Sequence, residues 1–285
     1  MFSARAKGSQ RPLPLPDLFD RYVATPPSAQ NAVDAVPGWR TALPPETGAE
    51  AGTLGLMSDS RIAWALERLG GVAGARVLEL GPLDGGHTAM LHAAGAARVD
   101  AIEGNRLAFL RCLIAKELLG LDRAHFHHGD FAAGLGSADG RYDLVLASGV
   151  LYHMADPAAL LARLAAVTDR LYLWTHLFDA AAMPEGDPRR GAFTGRVLEA
   201  AHGGVPLRLH ERGYLGSERK AAFCGGPRDR HVWMERGGLM ALLGALGFDR
   251  LEIAHDDPAA EGGPALSVLA TRSRGPAAGA AETAG

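Results

Sequence analysis

The chain has 285 residues, of which 47% are hydrophobic and 21% are charged, and its formal net charge is −3. This composition excludes a disordered chain and favours one large globular domain, while the near-neutral charge argues against a surface devoted to nucleic acid. Two cysteines, Cys112 and Cys224, exclude a disulfide scaffold and a four-cysteine zinc site, and they fit a reducing compartment, so we expect a cytoplasmic protein. No apolar run approaches the roughly 20 residues of a membrane helix, and no secretory signal is visible.

The ends of the chain differ in composition from its middle. Residues 1–50 hold 8 of the 17 prolines, which predicts an irregular N-terminal arm. Residues 274–285 are rich in Gly, Ala and Pro and are expected to form a disordered tail. Residues 51–273 are expected to form the globular domain. The chain also has 26 Arg and only 3 Lys, a bias that weakens any functional inference from a single arginine.

Strands and helices alternate in short steps through the middle of the chain. Apolar runs and helical spacing predict strands at 76–80, 97–102, 124–128, 142–148, 170–175, 248–254 and 265–271, and helices at 58–69, 86–94, 105–119, 156–167 and 235–246. This alternation is typical of βαβ units and a parallel sheet. The last two strands have no helix between them, so we expect them to pair in antiparallel fashion. The pattern therefore predicts an α/β fold.

Residues 177–230 interrupt this alternation. They are rich in Gly, Pro and charged residues and show little periodicity, so we predict an insertion that lies over the carboxyl edge of the sheet. We expect this insertion to cover a ligand pocket. The candidates for lining that pocket are Tyr214, His231 and Trp233.

Three consecutive predicted strands end in residues suited to a nucleoside. The first is followed by a turn in which Gly81 and Gly85 allow a ligand to approach the backbone. Glu103 follows the second strand and can accept hydrogen bonds from ribose hydroxyls. Asp130 and Phe131 follow the third strand and can hold the amino group and the face of an adenine. Taken singly, these features are also compatible with a tight connection, a solvated carboxylate and a helix cap. Because ligands of open α/β sheets bind at the carboxyl ends of strands, their joint occurrence predicts a nucleoside site.

The first turn decides between two nucleoside cofactors. A dinucleotide motif would place its second glycine at the position of Leu83, whereas the sequence from Glu79 onward has an acidic residue, Gly81 two positions later and then Gly85. This pattern resembles the first motif of the class I S-adenosylmethionine (SAM)-dependent methyltransferases, with Leu83 replacing the middle glycine. The resemblance spans roughly residues 58–271.

That resemblance implies both a fold and a cofactor. The expected fold is a Rossmann-like, open, mostly parallel seven-stranded sheet with helices on both faces and an antiparallel terminal strand. The expected cofactor is SAM, with Glu79 and the Gly81 turn holding its methionine part. Glu103 would hold the ribose, and Asp130 with Phe131 the adenine. Domain 51–273 would then be the methyltransferase domain.

The loop after the fourth predicted strand carries a second, more specific resemblance. Residues 148–157 read Ser-Gly-Val-Leu-Tyr-His-Met-Ala-Asp-Pro, and residues 109–112 read Phe-Leu-Arg-Cys. These strings resemble the methyltransferase branch that includes the tRNA wobble-uridine carboxymethyl transferase, which uses carboxy-SAM, together with uncharacterised bacterial relatives. The resemblance implies that Tyr152 and His153 lie beside the reacting methyl group. His176, at the end of the fifth strand, points toward the expected acceptor pocket, and these three are the candidate catalytic residues. Tyr152 could instead only pack against the cofactor, and His153 could instead only anchor the loop.

Two features expected of the tRNA enzyme are not evident in the sequence. One is a long basic N-terminal region, and the other is a cation near the methyl end that would pair with the extra carboxylate of carboxy-SAM. We therefore expect SAM as the donor and an O, N or C atom of a small molecule as the acceptor. Modification of tRNA is the first alternative.

Other functions are less favoured by the sequence. Leu83 disfavours a nicotinamide oxidoreductase, and a SAM-binding module without catalytic activity stays open as a further alternative. His125, His127 and His128 do not predict a metal site, because alternation along the strand separates them and no nearby cysteine or carboxylate set completes one. We expect no metal and no membrane partner, and the sequence predicts no oligomeric state.

Overall fold

The computed structural model describes residues 22–135 and 140–273. The first 21 residues of the predicted arm and the predicted tail at 274–285 lie outside the described residues. The strands of the described part are β1 Arg76–Leu80, β2 Arg98–Glu103, β3 Ala124–His128, β4 Leu144–Ser148, β5 Arg170–His176, β6 Phe193–His202, β7 Val205–Arg212, β8 His231–Met234, β9 Arg250–Asp257 and β10 Ala265–Thr271. Its α-helices are α1 Ala29–Asp34, α2 Ser60–Leu69, α3 Gly86–Ala93, α4 Arg106–Leu119, α5 Phe131–Gly134, α6 Pro157–Val167 and α7 Arg236–Ala245.

Local sequence signals set several of these boundaries. Asn105 caps α4, and its side chain accepts hydrogen bonds from the backbone N–H groups of Leu107 and Ala108. Asp156 caps α6 in the same way, and Pro157 occupies the first helical position, where its missing N–H costs nothing. Both helices begin where the sequence predicts.

Seven strands form the main sheet, in the order β3-β2-β1-β4-β5-β10-β9. The pairs from β3 to β5 are parallel, whereas β10 runs antiparallel to both β5 and β9. The chain order reverses direction between β1 and β4, which is the point where ligands bind in open α/β sheets.

Apolar side chains alternate between the two faces of this sheet. One face packs against α6 and α7 and the other packs against α2 and α3. The expected α/β fold is therefore confirmed: a Rossmann-like, mostly parallel sheet of seven strands with helices on both faces and an antiparallel terminal strand.

A second, three-stranded antiparallel sheet, in the order β6-β7-β8, forms within and just after the predicted insertion. The sequence predicts no strand in residues 177–230, whereas β6 and β7 both lie there. Gly203 and Gly204 have φ angles of 56° and 81°, so they form the tight turn that joins β6 to β7. The segment that carries this sheet is closed at its base, where the N–H of Phe178 donates to the carbonyl of Met234 over 2.9 Å.

The described part of the N-terminal arm packs against the main domain. Thr41 and Leu54 form an isolated bridge, and α1 contacts α4. None of the helices in the two described ranges has the length and apolar composition needed to cross a membrane.

Candidate active site

The turn after β1 adopts the backbone conformation that a close-lying ligand requires. Gly81 has a φ of 63°, and a Cβ at this position would lie 3.2 Å from Val150 Cγ2, in the loop after β4. Leu83 also has a positive φ, of 60°, although it is not a glycine. The left-handed conformation is therefore kept at the position where the sequence pattern lacks its middle glycine, at a cost of about 1–2 kcal/mol.

The carboxylate of Glu103 joins the ends of β1 and β2. Its oxygens accept the backbone N–H of Leu83 at 3.1 Å and the backbone N–H of Asn105 at 2.7 Å. Burial raises the pKa of Glu103. A carboxylate offers about four acceptor positions, so two remain beyond these hydrogen bonds, and their use by ribose hydroxyls stays a prediction.

Asp130 lies at the end of β3, one residue beyond a backbone link to β2. The N–H of Gly129 donates to the carbonyl of Glu103 over 3.0 Å, which keeps the two strand ends in register. Asp130 caps α5 through the N–H of Ala132, so the cap role considered for it in the sequence is observed. Asp130 also lines a groove of about 370 Å³, while Phe131 packs against the core. The contact of Asp130 and Phe131 with an adenine stays a prediction.

Glu79 is buried at the carboxyl end of β1. One of its oxygens accepts the hydroxyl of Thr88, from α3, at 2.5 Å. Burial raises the pKa of Glu79 from 4.5 to about 7. A carboxyl held near this pKa can release its proton when a cation, such as the ammonium of a bound amino acid, is placed beside it.

Asp84, in the turn after β1, forms a buried ion pair with α4 and accepts backbone hydrogen bonds from the N-terminal arm. Arg111 Nε donates to Asp84 over 2.5 Å, and both side chains are fully buried. The other oxygen of Asp84 accepts the N–H groups of Arg40 and Thr41 at 2.6 and 2.9 Å. No role for Asp84 is predicted from the sequence, although this residue lies inside the motif.

The three candidate catalytic residues lie together where β4 and β5 end. Tyr152 and His153 belong to a short 3-10 turn, Leu151–His153, directly after β4. The ring centroid of Tyr152 is 4.1 Å from that of His153 and 4.7 Å from that of His176. Trp174 extends this aromatic wall, with a centroid distance of 5.9 Å to Tyr152.

Hydrogen bonds define the protonation of His176. Its Nδ1 lies 2.8 Å from the carbonyl oxygen of Gly263. Because a carbonyl can only accept, Nδ1 carries the proton and Nε2 keeps a free lone pair in the neutral ring. Burial lowers the pKa of His176, so the neutral form dominates near pH 7.

His153 is held differently. Its Nδ1 lies 2.8 Å from the hydroxyl of Tyr214, which also accepts the N–H of Gly226 at 2.7 Å. Burial, followed by the charges of His231, His176 and Arg212, lowers the pKa of His153 to about 3. These contacts connect the loop after β4 to the inserted segment, as expected for a loop anchor.

Comparisons with known proteins agree with this geometry. Residues 57–191 match a family model described as a methyltransferase domain. The N-terminal domain of EvdMO1, crystallised with SAH (the demethylated product of SAM), is similar to this chain at 26% identity and a TM-score of 0.65 over 86% of this chain and 95% of that one. The same domain crystallised in the presence of SAH and D-fucose gives 25% identity with the same TM-score and coverage.

This chain contains a class I SAM-dependent methyltransferase domain. The methyltransferase also shares its fold with a SAM-dependent methyltransferase from Mesorhizobium loti, at 18% identity and a TM-score of 0.54, over 76% of this chain and all of that one. No curated protein matches the chain significantly. The enzyme thus uses SAM, as the sequence predicts, and the match favours methyl transfer over the nicotinamide alternative. The comparisons do not identify the branch.

The small sheet of the methyltransferase covers this site from the other side. The ring of Trp233, on β8, stacks on His176 with a centroid distance of 5.0 Å and an interplanar angle of 5°. The guanidinium carbon of Arg212, at the end of β7, lies 4.9 Å from the centroid of a Trp233 ring. Tyr214 and His231 stack at 4.3 Å beside His153. Tyr214, His231 and Trp233 therefore lie next to the candidate catalytic residues. Their role in lining an acceptor pocket stays a prediction.

Arg212 is the residue that the sequence analysis of this methyltransferase misses. The sequence pattern places no cation next to the candidate catalytic residues, whereas the structure brings Arg212 over Trp233, which stacks on His176. A signal was present: the Gly-Gly pair at 203–204 followed by Val205, Leu207 and Leu209 at alternate positions is typical of a hairpin strand. That strand would have carried Arg212 on the face opposite these apolar residues.

Proposed function

We propose that the enzyme transfers a methyl group from SAM to an oxygen or nitrogen atom of a small molecule, with His176 accepting the proton that this atom loses. The observation that carries this proposal is the hydrogen bond from His176 Nδ1 to Gly263, which leaves Nε2 as a base beside Tyr152. The bound cofactor supplies an electrophilic methyl group, so the chain itself has to position the nucleophile, remove its proton and exclude water.

The residues at the strand ends fit SAM. The left-handed turn at Gly81 and Leu83 exposes backbone next to β4, and Glu103 keeps two free acceptor positions for the ribose. Glu79 has the raised pKa of a carboxyl that gains a cationic partner on ligand binding. We assign the methionine part to Glu79 with the Gly81–Gly85 turn, the ribose to Glu103, and the adenine to Asp130 with Phe131. Tyr152 then forms the wall beside the methyl group.

A small acceptor fits the enclosed character of the site. Aromatic and histidine rings from β5, β8 and the turn after β4 surround it on several sides. The similar EvdMO1 domain was crystallised in the presence of D-fucose, which supports a hydroxyl group as the methylated position. The free cysteines Cys112 and Cys224 support action in a reducing compartment such as the cytoplasm.

The experiment measures SAH formation by mass spectrometry across a library of small hydroxylated and amino compounds, in the wild-type protein and in His176→Asn. The asparagine amide can still donate a hydrogen bond to the carbonyl of Gly263, but the substitution removes the basic nitrogen. We expect kcat to fall about 10²- to 10⁴-fold with SAM affinity unchanged. Activity of the variant should recover at high pH, where the acceptor ionises without help.

His202→Asn is the matched control, because His202 lies at the end of β6 and forms no side-chain hydrogen bond within the described residues. Its activity should equal that of the wild type. A kcat of His176→Asn within threefold of the wild type would contradict the assignment of the base. Absence of any SAH formation across the library would contradict small-molecule methylation.

A further inference from the structure

Three polar side chains share one face of the small sheet above the active site. Arg212 and His231 are direct partners in the pairing of β7 with β8. Trp233 follows His231 by two residues, so it points to the same face as His231. Directly paired residues of antiparallel strands also share a face, so Arg212 belongs to the same group. The stacking of Trp233 on His176 turns this face toward the ends of β4 and β5.

Each of these side chains has a buried polar atom without a hydrogen-bond partner among the described residues. The atoms are Arg212 Nε, His231 Nε2 and Trp233 Nε1. His231 and Trp233 are 0% and 1% exposed. Because the large majority of buried polar atoms are hydrogen-bonded, three unpaired ones on adjacent positions indicate a place where a ligand completes the bonding.

The three atoms differ in chemistry. Arg212 Nε and Trp233 Nε1 carry hydrogens and can only donate. His231 Nδ1 lies 3.0 Å from the carbonyl of Asp229, so it carries the proton of the neutral ring, and Nε2 is left as an acceptor. The group that satisfies all three therefore needs acceptor oxygens and a separate hydroxyl or N–H donor.

The charge on Arg212 also indicates a ligand, and specifically an anionic one. Arg196, Arg208 and Arg230, on or next to the same sheet, each lie within 4.0 Å of an acidic side chain. Arg212 forms no ion pair within the described part of the chain and lies instead over the rings of Phe193 and Trp233, at 5.7 and 4.9 Å. A partly buried cation without an anion is costly, so a bound anion would stabilise it.

We propose that Arg212, Trp233 and His231 recognise the acceptor, and that the acceptor carries a carboxylate or a similar anionic oxygen group next to the hydroxyl or amine that is methylated. This inference rests on the proposed function and specifies its substrate class. The Nε–Nη edge of Arg212 matches a carboxylate in a two-point arrangement, and Trp233 Nε1 adds a third donor. The anionic group would lie one ring away from His176, across Trp233.

The test uses benzoate as the probe and benzamide as its uncharged counterpart. Ligand-observed NMR measures the binding of each to SAH-loaded protein, for the wild type, Arg212→Gln, Arg212→Lys and Arg196→Gln. Arg196 is the control because it is exposed on the edge strand of the same sheet. SAH affinity, measured separately, shows whether each variant is folded and able to bind the cofactor.

We expect the wild type and Arg196→Gln to bind benzoate about 10- to 100-fold more tightly than benzamide, and Arg212→Gln to lose this preference with SAH affinity unchanged. Arg212→Lys, which keeps the charge but not the two-point geometry, should be intermediate. Equal binding of the two probes to the wild type, or an equal preference in Arg212→Gln, would overturn the proposal.

A further arm separates the acceptor from the donor as the source of the anion. Carboxy-SAM and SAM are compared for binding to the wild type and to Arg212→Gln. We expect no preference for carboxy-SAM in either protein. Tighter binding of carboxy-SAM that depends on Arg212 would show that this arginine reads the donor, which would overturn the acceptor assignment while leaving methyltransferase chemistry intact. The activity of His176→Asn is measured independently of these binding tests. A failure of the proposed function can therefore be told apart from a failure of the acceptor assignment.

Discussion

Replacing Glu103 by Gln should weaken SAM binding about 10- to 100-fold. The carboxylate uses two acceptor positions for the N–H groups of Leu83 and Asn105, at 3.1 and 2.7 Å, and we assign the other two to the ribose. Glutamine has one acceptor oxygen, and its NH₂ group would face a backbone N–H. Loss of a hydrogen bond to a charged group corresponds to about 1.5–3 kcal/mol, which gives the stated change in affinity.

The same substitution should also destabilise the cofactor-free protein. One of the two backbone N–H groups is left buried without an acceptor, at a cost of about 1–3 kcal/mol in the free energy of unfolding. Titration calorimetry with SAM and SAH measures the affinity, and urea denaturation measures the stability. Glu117→Gln is the matched control, because Glu117 is exposed on α4 and forms no side-chain hydrogen bond within the described residues. A change in SAM affinity below threefold in Glu103→Gln would refute the ribose assignment.

Three further predictions concern the end of β1 and the turn that follows it. Burial raises the pKa of Glu79 to about 7, so the folded state binds this proton more tightly than the unfolded chain does. Without SAM, the free energy of unfolding should therefore fall by up to about 3 kcal/mol between pH 4.5 and pH 7, and urea denaturation at both ends of this range should show a smaller fall for Glu79→Gln. Asp84→Asn leaves Arg111 as a buried unpaired cation and should cost about 3–5 kcal/mol by the same method, with part of it recovered when Arg111→Met is added; a cost below 1 kcal/mol would show that the pair is unimportant. Leu83→Gly should keep SAM affinity within threefold of wild type and lower Tm little, whereas Leu83→Val should lower Tm clearly, because β-branched residues strongly disfavour a positive φ; equal melting temperatures would contradict the strain at this position.

The main sheet could be predicted because its strands are buried and its helix ends carry local signals. Arg76–Leu80 is a short apolar run that is buried over most of its length, and it was predicted with the bounds that the structure shows. Asn105 and Asp156 cap their helices through bonds that depend only on nearby residues. These features need no knowledge of distant parts of the chain.

The small sheet could not be predicted in the same way. Strand β6 is an edge strand whose residues are mostly exposed on both faces, so its sequence shows no alternation between apolar and polar residues. Strand β7 does alternate, but the proline at 206 and the surrounding glycines made a strand reading less favoured.

The candidate site was predictable only in part for a similar reason. Tyr152 and His153 follow β4 and His176 ends the neighbouring parallel strand β5, so topology alone brings them together. The approach of Arg212 depends on how two sheets pack, and the pairing of Arg111 with Asp84 depends on how α4 packs against the turn after β1. The alternation in β7 indicates the strand that carries Arg212, but neither contact itself can be predicted from the spacing of residues along the chain.

The hydrogen bond between Phe178 and Met234 has a consequence for how this enzyme could diversify. It holds the entry and the exit of the inserted segment side by side, between the end of β5 and the start of α7. The family match ends at residue 191, whereas the residues that we propose for acceptor recognition all come later. We therefore expect a chimera that receives the corresponding segment of a relative, with the core residues Leu207 and Leu209 retained, to keep its methyl donor and adopt the relative's acceptor.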